Sequence, residues 1–167
     1  PLVLATTGYN ESQKNTIEDW ARQVPIVMTS NFSIGMTIVN KMLKTCQREI
    51  AQYFDCDILE IHHEQKKDKP SGSALMLKKT LQGPATDRYG YQKPISVTSL
   101  RHRQIAGEHT VIPCGDHEQI TITHTADSRE NFVRGILEAV EAIPYLKPGL
   151  FSMEDLLAQR FLQRRLL

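Results

Sequence analysis

The sequence has no long apolar run. Nothing in it approaches the ~20 consecutive residues that cross a bilayer, and no secretory signal is visible. It has no excess charge of either sign. Twenty Lys and Arg stand against 19 Asp and Glu, a net charge of +1. That is no footprint for a nucleic acid or a membrane surface, so any anion site has to be local. It has few cysteines: Cys46, Cys56 and Cys114 lie far apart and form no C-x-x-C pair. This argues against a disulfide framework and points to a reducing, cytoplasmic setting. There is no internal repeat and no low-complexity tract. What is present is an ordinary globular chain of 167 residues, 40% hydrophobic. It is long enough for one domain, or one domain and a piece of another, that buries roughly 70% of its unfolded surface.

Hydrophobic periodicity divides the chain into alternating elements. Leu2 to Ala5 is a buried strand closed by Thr6-Thr7-Gly8. Asn10, with Gln13 three residues on, opens a boxed helix to about Arg22 with Ile17, Trp20, Ala21 and Val24 inward. Pro25 stops that helix and begins a strand to Met28. Ser33 caps one long helix whose apolar stripe is Ile34, Ile38, Met42, Cys46 and Ile50, widened by Val39, Leu43 and Tyr53. Strands follow at 57–61, 94–101, 108–113 and 119–124. A helix is expected at 71–81, another from Asp127 to Ile143, and a last one capped by Ser152 and Asp155 that carries Leu156, Leu157, Phe161 and Leu162. Pro148-Gly149 reads as a chain break. The fold class is α+β: an open, mixed sheet of about four strands with helices, plus the tail of an α/β domain. The opening Pro1-Leu2-Val3-Leu4 reads as though the chain starts inside a strand, so the expectation is that an earlier part of that domain lies upstream.

The chemistry concentrates in His62-His-Glu-Gln-Lys-Lys-Asp-Lys-Pro-Ser-Gly-Ser-Ala-Leu75. Two adjacent histidines at a strand end point to opposite sides, which weakens a shared metal site. Pro70-Ser71-Gly72-Ser73 precedes a helix, whose first N–H groups lack internal partners and favour an anion. Lys66, Lys67 and Lys69 add full charge, and their crowding is expected to lower at least one lysine pKa. An imidazole and an ammonium beside a bound anion are natural proton donors. The residues describe a site for a small anionic substrate that is protonated during reaction, or else a solvated basic loop before a capped helix.

The order Glu60-x-His62-His63-x-x-Lys66-x-Asp68-x-Pro70-Ser71-Gly72-Ser73-Ala74 resembles the signature of the 4-hydroxy-tetrahydrodipicolinate reductase (dihydrodipicolinate reductase) family. Ala5-Thr6-Thr7-Gly8, Asn31-Phe32-Ser33-Ile34-Gly35, Gly107-Glu108-His109, His124-x-Ala126-x-Ser128-Arg129 and Pro148-Gly149-Leu150-Phe151-x-Met153 follow in the family's order. The resemblance implies an NADH- or NADPH-dependent enzyme of lysine and diaminopimelate biosynthesis, a homotetramer built through the sheet of its second domain. Its substrate is a cyclic imine dicarboxylate that loses water and takes a hydride at ring carbon 4. Carried over, His62 and Lys66 are catalytic, with Lys66 the favoured proton donor. His63, Lys66, Ser71, Gly72 and Ser73 hold the carboxylates. Ala5, Thr6, Thr7, Thr29, Asn31 and Phe32 line the nicotinamide, mainly through backbone groups, and Arg129 approaches the cofactor or pairs with Asp127 or Glu130. No metal is implied. The implied domains are 1–31, the end of a dinucleotide-binding domain; 32–143, for substrate and oligomerisation; and 144–167, returning toward the first.

Ala5 stands where the family usually has Gly, Ser73 where it has Thr, and Arg101-His102-Arg103-Gln104 where a Gly-containing turn is common. The nine glycines include no G-x-G-x-x-G, so the phosphate-binding turn of a dinucleotide fold is not in this chain. These 167 residues alone are expected to bind dicarboxylates weakly without turnover. Two rival functions follow from the same residues. One is a metal-dependent hydrolase using His62, His63, Glu64 and Asp68; the other is a non-catalytic oligomerising module. A semialdehyde-type dehydrogenase is weaker, because neither Cys46 nor Cys56 has suitable surroundings. His109 and His124 are expected on neighbouring strands as structural histidines, and Arg160, Arg164 and Arg165 on a wet helix face.

Overall fold

The structure, a computed structural model, describes residues 1–84, 86–87 and 89–163, with side chains through 159. The positions of Arg160, Phe161, Leu162, Arg164 and Arg165 on a helix face therefore lie outside what it describes. The chain forms two compact units, residues 1–37 with 130–167, and residues 38–129.

In the first unit, β1 (Leu2–Leu4), β2 (Pro25–Met28) and a late strand, β7 (Gly149–Phe151), make a parallel sheet in the order β1-β2-β7. Helix α1 (Glu11–Ala21) begins as the Asn10/Gln13 pattern requires. The Asn10 side-chain Oδ1 accepts from the Gln13 N–H and the Gln13 side chain accepts from the Asn10 N–H, both at 2.9 Å. Ile17 and Ala21 bury against Ile26, whereas Trp20 and Val24, expected inward, are exposed. A three-stranded sheet needs only a narrow apolar stripe from this helix. Helix α5 (Glu130–Ala142) contributes Ala139 to a core with Val27, Phe32, Met153 and Leu156. That packing places residues 130–142 in the first unit, whose boundaries with the second fall at 37/38 and 129/130. A short 3₁₀ turn (Ile143–Tyr145) follows, and the segment around Gly149, expected as a break, forms β7 with Leu150 opposite Ile26. Helix α6 (Met153–Gln163) is capped reciprocally by Ser152 and Asp155.

Helix α2 (Ile34–Thr45) leads into the second unit. The single long helix read from the sequence breaks at Cys46 into α2 and α3 (Gln47–Tyr53). The buried positions run Met36, Asn40, Leu43, Gln47 and Ile50, while Ile38, Met42, Cys46 and Tyr53 are exposed. Two members of the inward face are polar and bond to the next helix, α4 (Gly72–Gln82). Thr80 Oγ1 donates to Asn40 Oδ1 at 2.7 Å, and the Gln47 side chain donates to the Leu81 carbonyl at 3.3 Å. Hydrophobicity alone therefore pointed to the wrong stripe.

The sheet of this unit has four strands in the order β4 (Ser96–Arg101), β3 (Asp55–His62), β5 (Gly107–Cys114), β6 (Ile122–Ala126). The β3–β4 pair is parallel and the other two are antiparallel, which is the mixed open sheet the sequence predicts. Alternation along β3 buries Cys56, Ile58, Glu60 and His62 on one face. On the other face Leu59, Ile61 and Ile112 are half-buried and Leu100 is exposed. No helix among the described residues is long and apolar enough to cross a membrane.

Candidate functional site

Register, not proximity in sequence, assembles the polar centre of the second unit. Ser99, Glu60, His109 and His124 align in one row across the four strands. One step further along the sheet Arg101 lies beside His62, and Gly107 occupies the β5 position next to the His62 ring. A Cβ on residue 107 would stand 3.0 Å from His62 Nε2.

Glu60 is fully buried, yet doubly matched. Arg101 Nη2 lies 3.0 Å from one carboxylate oxygen and His62 Nδ1 meets the other. Burial by itself would raise the Glu60 carboxyl. Hydrogen bonds from Ser99, Arg101 and His62 outweigh that and hold it below the ordinary carboxylate value. Arg101 is held in turn by the backbone of the basic loop, Nε donating to the Lys66 carbonyl at 3.2 Å and Nη2 to the Asp68 carbonyl. Burial lowers the His62 imidazole more than Glu60 raises it, so the ring is neutral near pH 7.

His109 meets His62 edge to face, ring centroids 5.0 Å apart, and its Nε2 lies 3.0 Å from Ser71 Oγ. Burial above all pushes His109 down to about 3. The Ser71 hydroxyl also accepts from the Ala74 N–H at 3.2 Å, capping α4. Ser71, expected among the carboxylate ligands, is thus 1% exposed and occupied as an inward helix cap. Gly72 is different: it is exposed, and an added Cβ there would meet nothing within 4 Å. Ser73 is half-buried. The Lys69–Pro70 bond before the cap is cis.

Lys66 keeps its ammonium partly open and pairs with Asp68 at 2.8 Å. Burial would raise the Asp68 carboxyl, but the hydrogen bond and charge of Lys66 keep it lowered. His63 turns away from His62, its Nε2 3.2 Å from Arg129 Nη2 and its Nδ1 3.2 Å from the Gln65 side chain. Together with Gln104, Ala106, Asp127 and Ser128 these residues line an open cleft of about 320 Å³. Arg129, expected toward the cofactor or paired with Asp127 or Glu130, has the His63 imidazole as a neighbour.

The metal set His62, His63, Glu64 and Asp68 is not brought together. Glu64 accepts from the Arg103 N–H, Asp68 pairs with Lys66, and the two imidazoles diverge. Among the described residues, the donors that converge are Glu60, His62 and His109, their ligand atoms all within 4.8 Å of one another. There the carboxylate is already matched by Arg101 and His62.

In the first unit, β1 and β2 run parallel with Leu4 opposite Met28, so Ala5–Thr7 and Thr29–Asn31 leave the carboxyl edge of the sheet side by side. That edge is where open parallel sheets bind ligands. Thr29 Oγ1 donates to the Asn31 carbonyl at 3.2 Å, and the Asn31 side chain accepts from the Ser33 N–H at 2.7 Å. The Phe32 ring is buried in the core, and its carbonyl lies against Gly135. Ala5, Thr6, Thr7, Thr29 and Asn31, expected at a nicotinamide, stand at this edge.

Sequence reasoning did not assign Glu60, Arg101 or His109 to the site. Period-two alternation places Glu60 on the face of β3 that carries Ile58 and His62, and a Glu on the Ile58 face was the available signal. Arg101 and His109 needed strand register.

Residues 35–157 match the family described as dihydrodipicolinate reductase, C-terminus. The chain is 35% identical to the 4-hydroxy-tetrahydrodipicolinate reductase of Anaeromyxobacter dehalogenans, covering 95% of this chain and 64% of that one. It is 39% identical to the protein of that name from Caldanaerobacter subterraneus subsp. tengcongensis, covering 93% and 66%. The chain thus spans about two thirds of the length of these curated relatives. Among solved structures, a dipicolinate-bound dihydrodipicolinate reductase from Paenisporosarcina sp. TG-14 shares the fold, with a TM-score of 0.65 at 20% identity over 90% of this chain and 62% of that one.

Proposed function

The chain belongs to the dihydrodipicolinate reductase family through its C-terminal part, and from that premise we propose that it supplies the substrate site and proton donor of a cytoplasmic NADH- or NADPH-dependent reductase of 4-hydroxy-tetrahydrodipicolinate, in lysine and diaminopimelate biosynthesis. The observation that carries this reading is the set of cationic and anion-accepting groups that the second unit leaves open. Lys66 is partly open, His63 and Arg129 sit together on the cleft, and Gly72 leaves the start of α4 uncovered. A ring with two carboxylates matches two such anion-accepting groups: the helix start with Lys66, and the His63–Arg129 pair. The dipicolinate held by the Paenisporosarcina relative is a ligand of that class.

In this reading His63, Lys66, Gly72 and Ser73 hold the carboxylates, and Ser71 contributes by fixing the helix start. The nicotinamide cofactor supplies the hydride for ring carbon 4. The Lys66 ammonium supplies the accompanying proton, so the substrate leaves reduced by two electrons after loss of water. Ala5, Thr6, Thr7, Thr29 and Asn31 offer the nicotinamide edge. The half-exposed Leu59, Ile61, Leu100 and Ile112 face of the sheet suits assembly into a homotetramer.

The test is a graft. This chain replaces the matching part of the Caldanaerobacter relative, and oxidation of NADH or NADPH is followed with substrate. Turnover that Lys66→Ala removes supports the proposal. A folded, cofactor-binding graft with no turnover overturns it.

A further inference from the structure

Both candidate catalytic groups lie on one short stretch, but the geometry treats them differently. Lys66 reaches the surface; His62 is buried, and its Nδ1 meets the Glu60 carboxylate. A carboxylate ion-paired to a guanidinium only accepts hydrogen bonds, because Arg stays protonated and the oxygens carry the charge. Glu60 is such a carboxylate, with Arg101 at 3.0 Å on one oxygen. The ring nitrogen that meets its other oxygen, His62 Nδ1, therefore has to be the donor. In a neutral imidazole this leaves the lone pair on Nε2, at the edge that has room only because residue 107 is glycine.

We infer that Glu60, held by Arg101, is a positioning residue for His62: it fixes the Nδ1–H tautomer, so that His62 presents Nε2 as a proton acceptor and Lys66 alone is the donor. The charged and titratable groups facing His62 are Glu60 on its own strand, Lys66 on the loop, Arg101 on β4 and His109 on β5. Two of these, the cations Lys66 and Arg101, disfavour a second positive charge, and burial adds to them. Glu60 favours the charge but is shared with Arg101. The assignment of roles rests on the functional reading above, whereas the tautomer does not.

The experiment separates the two. Long-range ¹H–¹⁵N correlation spectra of the six histidines are recorded on the ligand-free chain at neutral pH, with His62 assigned by its loss in His62→Gln. The expected result is the Nδ1–H form of His62, favoured by about tenfold or more, the scale of a hydrogen bond to a charged group. In Glu60→Gln that preference should collapse to a mixture, because an amide offers both a donor and an acceptor. An Nε2–H ring in the unmodified chain overturns the inference whether or not any variant folds. So does an unchanged Nδ1–H preference in folded Glu60→Gln. One tightly held zinc per chain that is lost in the same variant also overturns it, since Nδ1 would then be a ligand. Dicarboxylate binding, measured separately, can fail without changing any of these outcomes.

Discussion

Arg101 and Glu60 form an ion pair of 3.0 Å in which the carboxylate is wholly buried and the guanidinium nearly so. Its charges are closed inside the protein by Ser99, His62 and the loop carbonyls of residues 66 and 68. Removing one partner leaves the other charge stranded. Arg101→Met should therefore cost about 3–5 kcal/mol of unfolding free energy. The double change Arg101→Met with Glu60→Leu should recover a large part of it. Urea titrations of the single and double variants measure both.

Acid should destabilise the second unit early. A buried histidine held neutral binds fewer protons folded than unfolded, so its contribution is fully present above the unfolded pKa of about 6.5. It is lost as pH falls from there toward the folded value of about 3 for His109. His62 and His124 shift in the same direction, both mainly by burial. Each such group lowers unfolding free energy by up to about 1.4 kcal/mol per pH unit in that window. Glu60, lowered, adds its own loss at more acid pH, below the ordinary carboxylate range. Urea midpoints at pH 7.5, 6 and 5 should fall stepwise, and His109→Gln should flatten the slope.

Two glycines should respond in opposite ways. A methyl on Gly135 would sit 1.7 Å from the Phe32 carbonyl oxygen, so Gly135→Ala forces α5 away from its core and should cost several kcal/mol. A methyl on Gly72 meets nothing, so Gly72→Ala should leave stability within about 0.5 kcal/mol. If the start of α4 receives a carboxylate, the same change should weaken dicarboxylate binding. Thermal unfolding and calorimetry on the two variants read the contrast.

The three thiols should separate by accessibility. Cys46 and Cys114 are exposed, whereas Cys56 is buried and its thiol is pushed up to about 11 by burial, with the charge of Asp57 adding to it. A disulfide reagent at pH 8 should titrate two thiols rapidly and the third only on unfolding.

Much of the fold was legible because its signals are local. The Asn10/Gln13 and Ser152/Asp155 caps, the Pro25 stop and the alternation of β3 each involve residues within a few positions. The inward face of α2 and α3 was misread because Asn40 and Gln47 bury through hydrogen bonds to α4, which hydropathy cannot register. β7 was missed because three residues carry no periodicity, and it exists through parallel pairing with β2. At the candidate site the loop from His62 to Ser73 could be read in one dimension. Arg101, Gly107 and His109 reach it from two other strands, and only register brings them there. Register also turned Ser71 inward, toward His109, where the sequence suggested a ligand-facing hydroxyl.

The proposed role of Lys66, Gly72 and the His63–Arg129 pair is to grip a doubly negative ring between them. It is tested most directly by titrating pyridine-2,6-dicarboxylate into this chain and into Lys66→Ala, by calorimetry with amide shifts followed in parallel. One saturable site per chain is predicted, weak in the unmodified protein and at least about tenfold weaker in the variant, with shifts centred on His63, Gly72, Ser73 and Arg129. Equal affinity in the two proteins, or no saturable binding to the folded chain, would contradict it.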